Sequence, residues 1–450
     1  MTIVTGFFVL GMAGLSFCNY LQKKWERRSG MGEESVMGSK VKDLYKKLCK
    51  DEWNSVTAGI IVAFLSVLVL VWARPWGAVG AIRNWGEWII YGLGLWDTIG
   101  LWEAAAPKSA LLDTGSVIGI GFVAGAFLSA NLGDNFDIRI PPVLEMVKGL
   151  VAGVLMGIGS AFAGGCNVGG MYNAIGNLAA NGFAMWLGLI MGVILGLKYI
   201  YWEMENITWG AGGAKTIEVP VPMRRILAIL ALVGLVWGAY AYGDQVIHVV
   251  DYDNLDENGY LGIAGGLSGL LLIAAGLGYT MQRGRWCMVQ AFREPHMTGN
   301  ITMAKGVMVS ILLLAIGTAV VKATGLREPV HYVRGTFGFG GVFGGLIFGL
   351  GAMLAGGCGT GTLWRVGEGQ VKLWLAVITF GVSNALLTPK FREWAWEGTA
   401  EESGLLGQWI YMPDTFLGYG GTLAVIALAM CLWYLIVSWN EDTGKLMVEM

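Results

Sequence analysis

The sequence predicts an all-α polytopic membrane protein. The expected architecture is an inverted-repeat helical bundle, with re-entrant or broken helices at two Gly-Gly-Cys motifs and about 11 hydrophobic spans. Three observations predict it. Of 450 residues, 55% are hydrophobic and only 14% charged, against roughly 25% charge in soluble domains. The apolar residues gather in runs of about 20, the length that crosses a bilayer. Glycine is the third signal: 71 residues, about twice the usual share, with no collagen period or Gly/Ser linker to absorb them. In a membrane bundle, glycine lets helices approach closely and lets backbone break where it lines a site.

In chain order, the spans fall near 3–20, 56–73, 111–132, 146–164, 182–202, 224–242, 260–281, 305–323, 336–356, 371–388 and 415–438. The first is followed by Lys23, Lys24, Arg27 and Arg28 and has no A-x-A cleavage site. It reads as an uncleaved anchor whose following loop is cytoplasmic. Threading the chain from there puts the N-terminus outside and the C-terminus in the cytoplasm. Lys198, Lys215, Arg224 and Arg225 then lie inside, as do Arg283, Arg285, Arg293 and Lys305, and the acidic loop 251–257 and the Trp- and Glu-rich loop 391–403 lie outside. Lys322, Arg327 and Arg334 come out external, against the rule. The domain division is an anchor and basic loop over 1–55, a first membrane repeat over 56–205, a cytoplasmic linker over 206–223, a second repeat over 224–438 and a cytoplasmic tail over 439–450.

The repeat is visible in residues. Segment 149–166 (GLVAGVLMGIGSAFAGGC) lies on 341–358 (GVFGGLIFGLGAMLAGGC) with 8 of 18 positions identical, seven of them Gly or Cys. Segment 119–136 can be laid on 270–287, matching Gly125 to Gly276 and Gly133 to Gly284. The two offsets, 192 and 151 residues, differ by about one span and its loop. One added span reverses parity, so the two Gly-Gly-Cys segments are expected to cross in opposite directions.

Glycines at spacing four (Gly149, Gly153, Gly157; Gly341, Gly345, Gly349) are first of all helix-packing strips. The breaks are different. In hydrocarbon every backbone polar group needs a partner, and Gly164 to Gly170, with four glycines, is poor helix. Such a run is tolerated where it lines a cavity, and its free N–H groups attract an anion there. Gly164, Gly165 and Asn167 around Cys166, and Gly356, Gly357 and Gly359 around Cys358, are the candidate site. A thiol is a weak donor and a polarizable contact, suited to a sulfur-bearing anion. Cys287, flanked by Arg283, Arg285 and Arg293, is a third candidate at the cytoplasmic mouth. It reads equally as an ordinary positive-inside flank. At its expected first-half counterpart stand Gly133, Asp134, Asn135 and Phe136, so it has no cysteine twin. Arg365 and Glu368 read equally as substrate-orienting groups or as a loop-flanking salt bridge.

Other classes fare poorly. The six cysteines include no CxxC pair, so a structural zinc site is not expected, and no metal or cofactor is. Three histidines in loops do not make a haem or metal centre, and no basic tract points to nucleic acid.

The motifs GRWCMVQAFRE (284–294), GGCNVGG (164–170) and GGCGTGTLWR (356–365) together resemble those of the YeeE/YedE family of sulfur-transport membrane proteins. The resemblance covers roughly 110–390. It implies an hourglass-like inverted repeat with short helices dipping in from both faces. It also implies a permease for thiosulfate or a related sulfur or selenium species in a bacterial or archaeal inner membrane, sometimes beside a soluble TusA-like sulfur carrier. It further implies passage along a central line of cysteines, here Cys166, Cys287 and Cys358, by transient hydrogen bonding. On this reading Arg285 and Arg293 raise the local anion concentration. A persulfide-forming sulfurtransferase is the alternative, though no general base accompanies Cys166 or Cys358. A structural subunit of a larger membrane complex is the third possibility.

Overall fold

The computed structural model describes residues 36–102, 104–207, 212–243, 266–327, 333–391 and 406–448. Among them nine segments are long and apolar enough to cross a membrane. A further helix, Leu267–Arg283, falls where the span at 260–281 was expected. The span 3–20, the basic cluster at 23–28, the loop 251–257 and residues 392–403 lie outside the described residues.

Helix α1 (Val36–Tyr45) precedes the bundle, so part of the expected basic loop is helical. Spanning helix α2 (Ser55–Trp72) starts where the Asn54 side chain accepts from Val56 N, a regular N-cap. Then come α3 (Ala78–Gly92) and α4 (Thr114–Leu132), the latter capped by Asp113. After a short strand β1 (Asp137–Ile140), Pro142 opens α5 (Val143–Ala163). Two single turns, Asn167–Tyr172 and Asn173–Gly176, lead to α6 (Asn181–Asn206). Strand β2 (Lys215–Glu218) pairs antiparallel with β1 and joins α6 to α7 (Val221–Tyr242).

The second half holds α8 (Leu267–Arg283), α9 (Met288–Met297), α10 (Thr302–Ala323), α11 (Phe339–Ala355), α12 (Gly359–Gly367) and α13 (Val371–Phe391), and α14 (Gly418–Thr443) closes the chain. Hydropathy misses α3 and α9, because Arg83 and Glu87 interrupt the first and Arg293 and Glu294 the second.

The helix pairings exchange between the halves. Helix α2 packs on α10, and α8 on α4; α5 packs on α13, and α11 on α6. Helices α3 and α13 touch, as do α9 and α6; α12 lies on α4, and Asn173–Gly176 on α10. Under that exchange α8 corresponds to α2, which corrects the laying of 119–136 on 270–287. Helices α4 and α8 are direct neighbours, with Gly125 set against the backbone of Ala275. Gly278 likewise meets the backbone of Phe122. Helices α5 and α11 cross antiparallel at the centre: Gly159 meets Gly344 and Phe348, while Gly351 meets Ala152 and Met156.

Two of the cations that broke the positive-inside pattern have local work. Lys322 Nζ donates to Asn177 O at 3.0 Å, and Arg327 donates to the Leu70 and Val71 carbonyls at the end of α2. Helix C-termini leave such carbonyls unsatisfied. Outward, α7 presents Ile229, Leu230, Val233 and Trp237, an apolar face suited to lipid.

Candidate functional site

Each Gly-Gly-Cys begins as a helix C-cap. Gly164 has φ 73° and Gly356 φ 81°, the left-handed conformation that lets a helix end and turn back. Cys166 and Cys358 follow in extended backbone, and each opens a new helical turn, Asn167–Tyr172 or α12. The glycine N–H groups were expected to face an anion. Instead Gly165 N donates to Ser160 O at 2.9 Å, and Gly357 N to Ala352 O at 3.1 Å. Their own helices consume them. The donors that face the sulfurs come slightly later. Gly361 N donates to Cys358 Sγ at 3.3 Å. Backbone N–H groups of Val168 and Gly169, and of Ala78 and Val79 at the start of α3, face Cys166.

The two breaks meet. Gly359 N donates to Asn167 Oδ1 at 3.2 Å. Asn167 is fully buried, and its Nδ2 has no partner among the described residues. The position a Cβ would take on Gly359 is 3.2 Å from Cys166 Sγ, so Cys166 rests against the bare first turn of α12. On the other side, Cys287 Sγ lies 3.5 Å from Cys358 Sγ. Gly361 makes that approach possible. A Cβ there would stand 2.9 Å from Cys287 Sγ, 3.1 Å from Arg365 Nη1 and 3.2 Å from Cys358 Sγ. Three buried thiols and one guanidinium therefore converge on a single helical turn. Cys287 is itself the N-cap of α9, so α9, α12 and α3 all begin beside a sulfur.

The arginines of the Cys287 motif divide. Arg283 turns away from the thiols, donating to the Cys49, Lys50 and Ser129 carbonyls. Arg285 Nη1 binds Glu368 Oε1 at 2.5 Å. Arg293 sits on α9, its buried Nε without a partner among the described residues. Arg283 and Arg285 are thus committed to carbonyl and carboxylate partners. Arg365 lies nearest instead, stacked on the Trp364 ring at 4.2 Å and donating to Gly361 O. Glu368 belongs to a salt bridge; among the described residues, Arg365 does not. Among the described residues, no group of three His, Cys, Asp or Glu side chains could hold a metal.

Sequence reasoning missed Gly361, Gln282 and the true counterpart of Cys287. Trp76–Arg83 lies on Trp286–Arg293 with Trp, Val, Ala and Arg in common, which places Gly77, not Gly133, opposite Cys287. The two tryptophans play matching parts. Asn173 Nδ2 donates to Trp76 O at 2.5 Å, and Trp364 Nε1 to Trp286 O at 3.3 Å. That eight-residue match was the available signal.

A family model described as sulphur transport matches residues 1–195 and 283–449. The probable transporter YedE of Escherichia coli is 24% identical over 404 residues, 86% of this chain and 93% of that protein. The thiosulfate transporter TsuA of Escherichia coli is 41% identical over 122 residues, 27% of this chain and 34% of its own length. TsuA of Spirochaeta thermophila is 33% identical over 134 residues, 28% of this chain and 39% of its own.

Proposed function

The chain belongs to the sulphur transport family, and from that premise we propose that it is a thiosulfate permease whose anion passes Cys166, Cys358 and Cys287 in turn. The observation that carries the reading is the convergence of Cys287 Sγ, Cys358 Sγ and Arg365 Nη1 over Gly361. The local identity to two thiosulfate transporters supports the choice of substrate.

Charge arithmetic favours a dianion. A helix N-terminus is equivalent to roughly +0.5 charge. Three of them with one guanidinium come to roughly +2.5, about matching a charge of −2. Thiols then supply weak, polarizable contacts to the terminal sulfur. No single contact is strong, as conduction requires: a tight site would trap the ion. The antiparallel crossing of α5 and α11 supports an inverted repeat, with the thiols approached from both faces.

We place the Arg285–Glu368 side in the cytoplasm, with a TusA-like carrier as a candidate recipient there. Purified protein in proteoliposomes is expected to take up radiolabelled thiosulfate, with excess unlabelled thiosulfate competing and excess sulfate competing at least tenfold less well. Equal competition would overturn the substrate assignment.

A further inference from the structure

Glu368 is completely buried at the end of α12. It accepts from Arg285 Nη1 at 2.5 Å and from Gln282 Nε2 at 2.7 Å, with Arg139 Nη1 3.8 Å away. Gln282 is fixed in turn: its Oε1 accepts from Ser129 Oγ at 2.6 Å and from Arg283 Nη2 at 2.9 Å. A carboxylate so deep is tolerated only with its charge paired and its lone pairs satisfied.

Its partner is unusual as well. Arg285 has φ 49°, a left-handed conformation that costs a non-glycine residue of order 1–3 kcal/mol and persists where the surroundings impose it. Arg285 stands two residues before Cys287, and Glu368 terminates the helix that Cys358 begins. The ion pair thus ties together the two segments whose thiols lie 3.5 Å apart. Both guanidiniums also lean on one indole: Arg285 is 5.5 Å and Arg365 4.2 Å from the Trp364 ring.

The charge balance above leaves no room for a second free arginine. We propose that Glu368 is a positioning residue that neutralises Arg285 and keeps it off the anion, so that Arg365 alone engages the passing substrate. This deepens the permease reading and rests on it. With the carboxylate removed, Arg285 becomes an additional uncompensated cation beside the passage. The anion then binds more tightly and leaves more slowly, which lowers KM and maximal flux together.

The test compares wild type, Glu368→Gln and the double variant Arg285→Gln/Glu368→Gln in proteoliposomes, with thermal unfolding of each in detergent. Glu368→Gln is expected to lower the KM for thiosulfate about fivefold while cutting maximal flux at least as much. The double variant is expected to return KM to within about twofold of wild type, because the excess cation is gone. A merely structural role lowers stability and flux without lowering KM, and that result overturns the proposal. So does a double variant whose KM stays at the single-variant value. If Glu368→Gln fails to fold, a double variant that folds with wild-type KM supports the proposal, and one with raised KM overturns it. Absence of wild-type thiosulfate flux overturns the permease reading and this inference with it. Wild-type flux with an unchanged KM in Glu368→Gln overturns this inference alone.

Discussion

Gly359 N donates to Asn167 Oδ1 across 3.2 Å, joining two chain breaks that are 192 residues apart in sequence. Each of these residues directly follows the cysteine of its own break. The bond therefore fixes Cys166 and Cys358 relative to one another, and it leaves Asn167 Nδ2 a buried donor without a partner among the described residues. Asn167→Asp keeps the acceptor and replaces that donor with an anionic oxygen. Thiosulfate KM is expected to rise at least tenfold from like-charge repulsion in a buried setting. Uptake kinetics in proteoliposomes measure it; an unchanged KM would show that the anion does not pass this residue.

Gly361 admits two sulfurs and a guanidinium to the α12 backbone. Adding a methyl group as Gly361→Ala fills the space 2.9 Å from Cys287 Sγ. Helix propensity alone favours Ala by up to about 1 kcal/mol, so the folded protein is expected to persist while thiosulfate flux falls at least tenfold. Thermal unfolding and uptake, measured on one preparation, separate the two effects. Full flux in a folded Gly361→Ala protein would remove the convergence point from the pathway.

Gly164 and Gly356 serve backbone geometry. Their left-handed φ values make Gly164→Ala and Gly356→Ala cost about 1–2 kcal/mol each. The expected result is a lowered unfolding temperature for both variants, with the KM of the surviving folded protein unchanged. A changed KM at normal stability would mean that these glycines contact substrate.

Cys49 lies in the turn before α2, beyond the membrane-spanning helices, with Tyr279 Oη donating to its sulfur at 3.4 Å. Burial pushes its thiol above the ordinary range, and the Tyr279 hydrogen bond and the Arg283 charge only partly oppose this. Thiolate is the reactive species, so at neutral pH a raised thiol holds less of it. Maleimide labelling of Cys49, followed by peptide mass spectrometry, is expected to be slow near neutrality and to rise only above the usual thiol range. Rapid labelling at neutral pH would contradict the buried placement.

Much of this was legible in the sequence, for physical reasons. Spans reveal themselves because lipid demands uninterrupted apolar helix, and the Gly-Gly-Cys pair because left-handed caps and close approach both require glycine. The short helices α3 and α9 were hidden. They are partly buried and carry Arg83, Glu87 and Arg293, the first two paired with each other, so hydropathy does not mark them. Charge flanks misled for a related reason. Arg283 and Arg327 satisfy backbone carbonyls, and Arg285 is matched by a glutamate 83 residues away. Proximity in sequence to Cys287 said nothing about which guanidinium faces it. Arg365 reaches it because Gly361 leaves α12 bare.

The central claim is that the three buried thiols form the substrate path. Its most direct measurement is initial radiolabelled thiosulfate flux into proteoliposomes containing wild type, Cys166→Ala, Cys287→Ala or Cys358→Ala, each shown to be folded by thermal unfolding. The account predicts that each substitution lowers flux at least tenfold, since removing one thiol leaves a gap that its neighbours cannot span. Three folded variants with wild-type flux would contradict it.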